Sequence, residues 1–290
     1  MRINSNTSFA IIGGDKRQIY MANSIYRDGY TVQTSGLDSE LLLDAVGRQS
    51  PAECAESADI IIFPLPAVRN GAVYSPVACE PIEITSRLLK AVEGKKIFCG
   101  KSEDLYAAAP SLNRELMYDI LKREDFAVLN AVPTAEGALE CAFANYDGTI
   151  KDSRCLVCGY GRIGKILSSY LKMLGADVTV SARKAQDAAW IKANSLKFVH
   201  TEKLYSESGF NIIFNTVPHL IFNSHLLAKI ASDALVIDLA SIPGGVDFEA
   251  CGRLGIRVIH ALSLPGKSSP KTAGEIIKDT IYNMLEEEKA

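Results

Sequence analysis

The run Cys155–Lys184, CLVCGYGRIGKILSSYLKMLGADVTVSARK, decides the fold. Its apolar start reads as a buried strand. Gly159, Gly161 and Gly164 follow in G-x-G-x-x-G spacing, and Ile163, Ile166, Leu167 and Leu171 then recur at helical intervals. Gly175 marks a turn, and DVTVS (Asp177–Ser181) reads as a second strand. Strand, glycine loop, helix and strand make a βαβ unit, and that context lifts three glycines above a chance pattern. Gly159 permits the tight turn. Gly161 lets a pyrophosphate reach backbone N–H groups at the helix N-terminus, where the dipole also favours an anion. Gly164 lets the helix lie close to the strand. The spacing therefore predicts a dinucleotide site on Gly159, Gly161, Arg162, Ile163 and Gly164. The alternative is a glycine-rich turn with no ligand.

A site for NAD places an Asp or Glu about 20 residues past the glycine loop, to hold the adenine ribose. Asp177 lies too early, at the start of the second strand, and the strand's end offers Ser181, Ala182, Arg183 and Lys184. A carboxylate there would repel a 2′-phosphate. The Ser181 hydroxyl can bond one, and Arg183 can pair with it in a planar, charge-assisted way. The expected cofactor is therefore NADP, with Ser181 and Arg183 as discriminators and Lys184 in support. The alternative is a solvated helix start, although two cations there oppose the helix dipole. Loops at the carboxyl ends of strands line such a site. Thr216, Val217 and Pro218 follow one strand and are expected to border the nicotinamide-side ribose. Ser241, with Gly244 and Gly245, follows another and is expected to approach the ring. His219 is a candidate acid or base, or else a helix-start residue.

The rest of the chain fits this class. It has 290 residues, 48% of them hydrophobic, enough for one or two domains. A net charge of −3 speaks against sequence-independent nucleic-acid binding. No run of about 18 uncharged apolar residues predicts a membrane span. The N-terminal MRINSNTSFAIIGGDKRQ carries one early Arg2, and Gly13, Gly14 and Asp15 cut its apolar stretch. It reads as a first strand, not a signal peptide, and so as a cytoplasmic chain. Seven scattered cysteines (54, 79, 99, 141, 155, 158 and 251) read as reduced thiols. Cys155 and Cys158, three apart on a strand, face opposite sides, which argues against a redox or metal pair.

Short apolar strands alternate with longer amphipathic stretches throughout. One series is Phe9–Ile12, Thr31–Thr34, Asp59–Phe63, Lys96–Cys99 and Phe126–Leu129. A second is Arg154–Cys158, Asp177–Ser181, Lys197–Val199, Asn211–Phe214, Leu235–Leu239 and Arg257–His260. Two such series predict an α/β chain of two Rossmann-like, doubly wound parallel-sheet domains. The expected division is a substrate domain at 1–132, a linking helix at 133–148, an NADP-binding domain at 149–268 and a C-terminal helix at 269–290 that returns to the first domain. The linking helix, Pro133–Tyr146, takes Thr134 as N-cap and Gly137 at the capping-box position. The last helix starts near Pro270 or Thr272.

With these motifs in place, the chain resembles the family of dipicolinate synthase A subunits of spore-forming bacteria. The resemblance rests on IIGGDKRQIYMA (11–22), KSEDLY (101–106), NAVPTAEGALECA (130–142), VCGYGRIGK (157–165), SARK (181–184), DLASIPGGVDF (238–248) and ALSLPGKSSPKTAGEII (261–277), in order over nearly the whole chain. It implies oxidation of dihydrodipicolinate, drawn from the lysine pathway, to dipicolinate with a nicotinamide cofactor in the mother cell. It also implies a flavoprotein-like second subunit of the synthase (the B subunit) as partner, a homo-oligomer, and a plan similar to that of 2-hydroxyacid and formate/glycerate dehydrogenases, with a substrate domain, a Rossmann domain and a crevice between them.

The implied substrate is a dianion and calls for cationic or multi-donor sites. Arg17, at a helix N-terminus that can itself receive an anion, is one candidate; Lys101 and Lys267 are others. Arg69, Tyr74 and Ser75 lie on a long loop that reads as a lid. Ser268, Ser269 and Thr272 accompany Lys267, and His219 and His260 are candidate proton acceptors. Two other readings stay open: a 2-hydroxyacid-type dehydrogenase, which would need a His–carboxylate pair, and a non-catalytic NADP-binding interaction subunit.

Overall fold

The computed structural model describes residue 4 and residues 6–287. Arg2 and the outermost residues of the expected 1–132 and 269–290 segments lie outside the described residues. Two compact units divide the chain: one holds 4–130 with 269–287, the other 131–268. Among the described residues no helix is long and apolar enough to cross a membrane.

The first unit runs β1 (Ser8–Ile12), α1 (Lys16–Arg27), β2 (Thr31–Ser35), β3 (Gly47–Arg48), α2 (Pro51–Glu56), β4 (Ile60–Ile62), β5 (Val68–Arg69), β6 (Ala72–Val73), α3 (Ser86–Val92), β7 (Lys96–Cys99), α4 (Ser102–Ala108), β8 (Met117–Asp119) and α5 (Glu124–Leu129). Its six-stranded sheet has the order β3-β2-β1-β4-β7-β8, parallel throughout. Alternate side chains feed two cores, with Phe9 and Ile11 on one face and Ala10 and Ile12 on the other. Phe126–Leu129, expected as a strand, is instead α5. Only Phe126 of its apolar residues is buried among the core, while Val128 and Leu129 are exposed. Four successive apolar residues wrap a helix here, and Glu124 and Asp125 suit its N-terminal dipole. The strand at that edge of the sheet is β8.

The second unit opens on α6 (Ala131–Asn145), then β9 (Arg154–Cys158), α7 (Arg162–Met173), β10 (Asp177–Ala182), α8 (Ala185–Ala193), β11 (Lys197–His200), β12 (Ile212–Asn215), α9 (Ser224–Leu227), β13 (Leu235–Asp238), α10 (Phe248–Leu254), β14 (Arg257–His260) and α11 (Leu264–Ser268). The sheet order is β11-β10-β9-β12-β13-β14, again parallel throughout. Both sheets thus show the doubly wound order that reverses beside the first strand, as the sequence predicts. Cys155 and Cys158 pack into cores on opposite faces of β9. Burial pushes both thiols up to about 11, so neither is an available thiolate near neutral pH.

The helix expected at Pro133–Tyr146 starts earlier, at Ala131, so Thr134 is a buried interior residue and not an N-cap. Gly137 closes no capping box either. A Cβ there would lie 2.9 Å from Leu264 Cβ and 2.7 Å from Ser268 Oγ, so Gly137 serves the close approach of α6 and α11.

The last helix, α12 (Pro270–Glu287), packs along α1 inside the first unit. Gly274 makes this possible, since a Cβ would lie 2.5 Å from the Arg17 carbonyl oxygen. Lys278 locks the pair of helices. Its Nζ donates to Asp28 Oδ2 and Ser24 Oγ at 2.9 Å each and sits 3.1 Å from Glu275 Oε2. The Lys278 side chain is 11% exposed, whereas Asp28 and Glu275 are each 36% exposed. Removing one member of a fully buried pair costs roughly 3–5 kcal/mol, and partial exposure of the carboxylates lowers that to about 2 kcal/mol. Lys278→Met is expected to lower the urea-unfolding free energy by that amount.

Candidate functional site

The carboxyl ends of β9, β10, β11 and β12 surround a cavity of about 420 Å³ in the second unit. Gly159, Gly161, Arg162, Arg183, Lys184, Thr216, Val217 and Pro218 all line it. The glycines explain its floor. Gly159 has φ +98°, and a Cβ on it would lie 2.4 Å from Thr216 Oγ1. Gly164 lies in the first turn of α7, where a Cβ would come 2.1 Å from the Gly159 carbonyl oxygen. Gly161 is the N-cap of α7 and offers no capping side chain, and a Cβ there would meet nothing within 4 Å. The N-terminus of α7 therefore has no side-chain acceptor from its cap, which is the condition for an anion to bind.

The rim is cationic. Arg183 and Lys184 are exposed, and neither side chain has an ion-pair partner among the described residues. Lys165 joins them from the first turn of α7, with its ammonium 5.7 Å from the Tyr160 ring. Asp187 is the sole carboxylate on the lining among the described residues, against Arg162, Lys165, Arg183 and Lys184.

Ser181 requires a correction. β10 runs one residue further than expected, to Ala182, so Ser181 points into the unit. It is fully buried, and its hydroxyl donates to Cys158 Sγ at 3.3 Å. It does not reach the cavity. Thr201, half-buried after β11, lines the cavity in its stead. Sequence reasoning does not reach Lys165, Thr201 or Asp187. Thr201 was accessible to it, because it follows the apolar KFVH run at a strand's carboxyl end.

The remaining expected residues lie elsewhere. Ile163 is half-buried in α7. His219 is exposed in a bend after β12, not at a helix start, and its ring is not on the cavity lining. Ser241 is exposed, and its carbonyl accepts from Gly244 N at 2.8 Å. His260 Nε2 lies 3.0 Å from the Ala240 carbonyl oxygen. A carbonyl only accepts, so Nε2 is the donor in this contact. Lys267 is exposed on α11.

In the first unit Arg17 is not the open clamp expected. Its Nε and Nη2 donate to the two carboxylate oxygens of Asp15 at 2.9 Å, and Nη2 also donates to the Leu65 carbonyl at 2.8 Å. The N-terminus of α1 is also occupied: Asp15 accepts from Arg17 N, and the Gln18 side chain accepts from Asp15 N in a capping box. A carboxylate of the chain itself fills the place of a ligand anion. The loop expected as a lid is tied down as well. It holds the β5–β6 hairpin, whose Val73 fills the space beside Gly13, while Ser75 Oγ donates to the Gly36 carbonyl at 2.6 Å. Arg69 stacks over Tyr74 at 5.3 Å. Lys101 keeps an exposed side chain at the N-terminus of α4, where Asp119 accepts from Ser102 N at 2.9 Å. A larger open hollow of about 740 Å³ in this unit is lined by Asp38, Glu80 and Glu83 against a single Arg87. That charge balance disfavours an anion.

Comparison with known proteins finds two matches along the chain. Residues 8–117 match the N-terminal domain of the dipicolinate synthase A subunit, and residues 113–241 match the NAD binding domain of D-isomer specific 2-hydroxyacid dehydrogenases. The second unit thus has the fold of a nicotinamide-dinucleotide-binding domain. The dipicolinate synthase A subunit of Bacillus subtilis (strain 168) is 31% identical over 97% of this chain and 96% of its own length. The crystal structure of the A subunit from Bacillus halodurans superposes with a TM-score of 0.88 at 30% identity, covering 96% of this chain and 97% of that one. The Bacillus subtilis crystal structure gives 0.85 at 28% identity, covering 98% and 97%. Sequence and fold shared nearly end to end with these proteins place this chain in the family of dipicolinate synthase A subunits.

Proposed function

We propose that the chain is the oxidoreductase subunit of a dipicolinate synthase, using NADP to oxidise dihydrodipicolinate to dipicolinate in the cytoplasm of a sporulating mother cell, alongside a flavoprotein-like B subunit. The observation that carries the cofactor reading is the pair Arg183 and Lys184, without ion-pair partners among the described residues, where an NAD site places a carboxylate. The residues fit the group. The uncapped α7 N-terminus and the open space at Gly161 suit a pyrophosphate. Arg183, Lys184 and Thr201 suit a 2′-phosphate, and Thr216, Val217, Pro218 and Ser241 are assigned to the nicotinamide side. Bound NADP supplies the hydride acceptor. Aromatisation removes one hydride and one proton from the ring, so the protein's task is chiefly to hold ring and cofactor in register.

For the dianion, Lys101 and Lys267 remain the candidate carboxylate partners, because both ammonium groups are exposed. Arg17 retains only Nη1 for that task. Its other donors set Asp15 and the Leu65 carbonyl, so we assign it chiefly to shaping the loops after β1 and β4. His260 and His219 are the candidates to take the proton.

The test is an absorbance assay with freshly generated dihydrodipicolinate and NADP⁺. Formation of NADPH together with the aromatic product is expected from the purified chain. Product only after the B subunit is added would favour the interaction-subunit reading. Absence of product with both subunits present would refute the assignment.

A further inference from the structure

We infer that Asn215 and Asp238 form a buried clasp that positions the two loops assigned to the nicotinamide half of the cofactor. The inference rests on the NADP reading above. Asn215 ends β12, Asp238 ends β13, and the two are register partners. Both are fully buried. Asn215 Nδ2 donates to Asp238 Oδ1 at 2.8 Å and to the Val217 carbonyl at 3.0 Å, while Val217 N donates to Asn215 Oδ1 at 3.2 Å. That fixes the Thr216–Pro218 loop. Asp238 holds the other loop: Ala240 N donates to Oδ1 at 3.1 Å, and Gly245 N donates to Oδ2 at 2.8 Å.

Two glycines close round the pair. A Cβ on Gly245 would lie 2.3 Å from Asn215 Nδ2, and one on Gly244 would lie 2.5 Å from Asp238 Oδ2. The loops also meet directly, since the Gly245 carbonyl accepts from Ile221 N and Phe222 N at 3.0 Å each.

A buried carboxylate is costly unless its lone pairs are met, and an apolar side chain at that strand end would hold a parallel sheet at less cost. Three N–H donors converge on Asp238: the Asn215 amide at the end of β12, and the backbone N–H groups of Ala240 and Gly245 in the loop after β13. The pair is thus built to set loop geometry. Asn215 and Asp238 are positioning residues: they act through Val217, Ala240 and Gly245.

The test is calorimetric titration with NADPH and with adenosine 2′,5′-bisphosphate, which lacks the nicotinamide half. Asp238→Asn leaves one side-chain oxygen for three donors, so at least one loop bond is lost. It is expected to weaken NADPH binding about ten-fold while the bisphosphate, held on the Arg183 side, changes by less than about three-fold. Gly245→Ala displaces the Asn215 amide and is expected to give the same split. Equal losses for both ligands, or none, in folded variants would overturn the clasp. So would failure of both variants to fold, which assigns the network to folding alone. Wild-type protein that binds neither compound would bring down the NADP reading, and the clasp's role with it.

Discussion

Replacing Arg183 with Glu is expected to weaken NADPH binding about 100-fold and NADH binding by no more than about three-fold. A charge-assisted, forked bond to a phosphate contributes on the order of 2–3 kcal/mol, and each 1.4 kcal/mol is ten-fold in affinity. Glu adds repulsion to that loss. It also restores the carboxylate that an NAD site uses to hold ribose hydroxyls, so NADH has a compensating contact and NADPH has none. The substitution carries little folding risk, because Arg183 is exposed and has no ion-pair partner among the described residues. Lys165 and Lys184 share the rim, so the loss should shrink as salt is raised, in step with screening of exposed charge. Fluorescence titration of both cofactors at two ionic strengths measures the difference. Equal losses for the two cofactors would remove the 2′-phosphate from the reading and leave a dinucleotide site without preference.

The parts of this site that the sequence makes legible are those fixed by local chemistry. A glycine triplet between an apolar strand and an apolar helix has few other uses, so the α7 turn can be placed to the residue. Charge at the end of β10 is legible for the same reason: an expected carboxylate is missing. Ser181 misleads because strand length is set by pairing, not by composition. β10 continues to Ala182 because β11 pairs with it there, so Ser181 is an interior strand residue, and strand alternation turns its side chain onto the buried face with Cys158. Arg17 misleads through a contact 48 residues away, at Leu65, that no local pattern reports. Asp15 is visible beside it, and its service as the cap of α1 can be read from the Asp-x-x-Gln spacing. Asn215 and Asp238 each look like a polar residue closing an apolar run. Only the register of β12 with β13 makes them partners.

Two alanine substitutions in the glycine loop should fail in opposite ways. At Gly164 a Cβ would stand 2.1 Å from the Gly159 carbonyl oxygen and 3.0 Å from its carbonyl carbon. Both are backbone atoms in a turn with little freedom, so the first turn of α7 has to lift. Overpacking of this kind costs roughly 1–3 kcal/mol, and the lifted N–H groups no longer converge on one point. Gly164→Ala is therefore expected to lower the melting temperature by several degrees, about what 2 kcal/mol removes from a domain of this size, and to weaken NADPH binding more than about 100-fold through lost charge-to-N–H bonds. Gly161 differs. Its φ of −78° and ψ of −162° suit any residue, and its Cβ would meet no protein atom within 4 Å. Gly161→Ala should leave the melting temperature of the free protein where it was. The methyl group would nevertheless fill space assigned to the pyrophosphate, and a loss of about ten-fold or more in NADPH affinity is expected. Thermal melting with and without NADPH reads both variants: Gly164→Ala melts low in either condition, and Gly161→Ala melts normally but gains little from the cofactor. If Gly161→Ala kept the full stabilisation by NADPH, the pyrophosphate could not lie at the α7 N-terminus, and the cavity would need a different occupant.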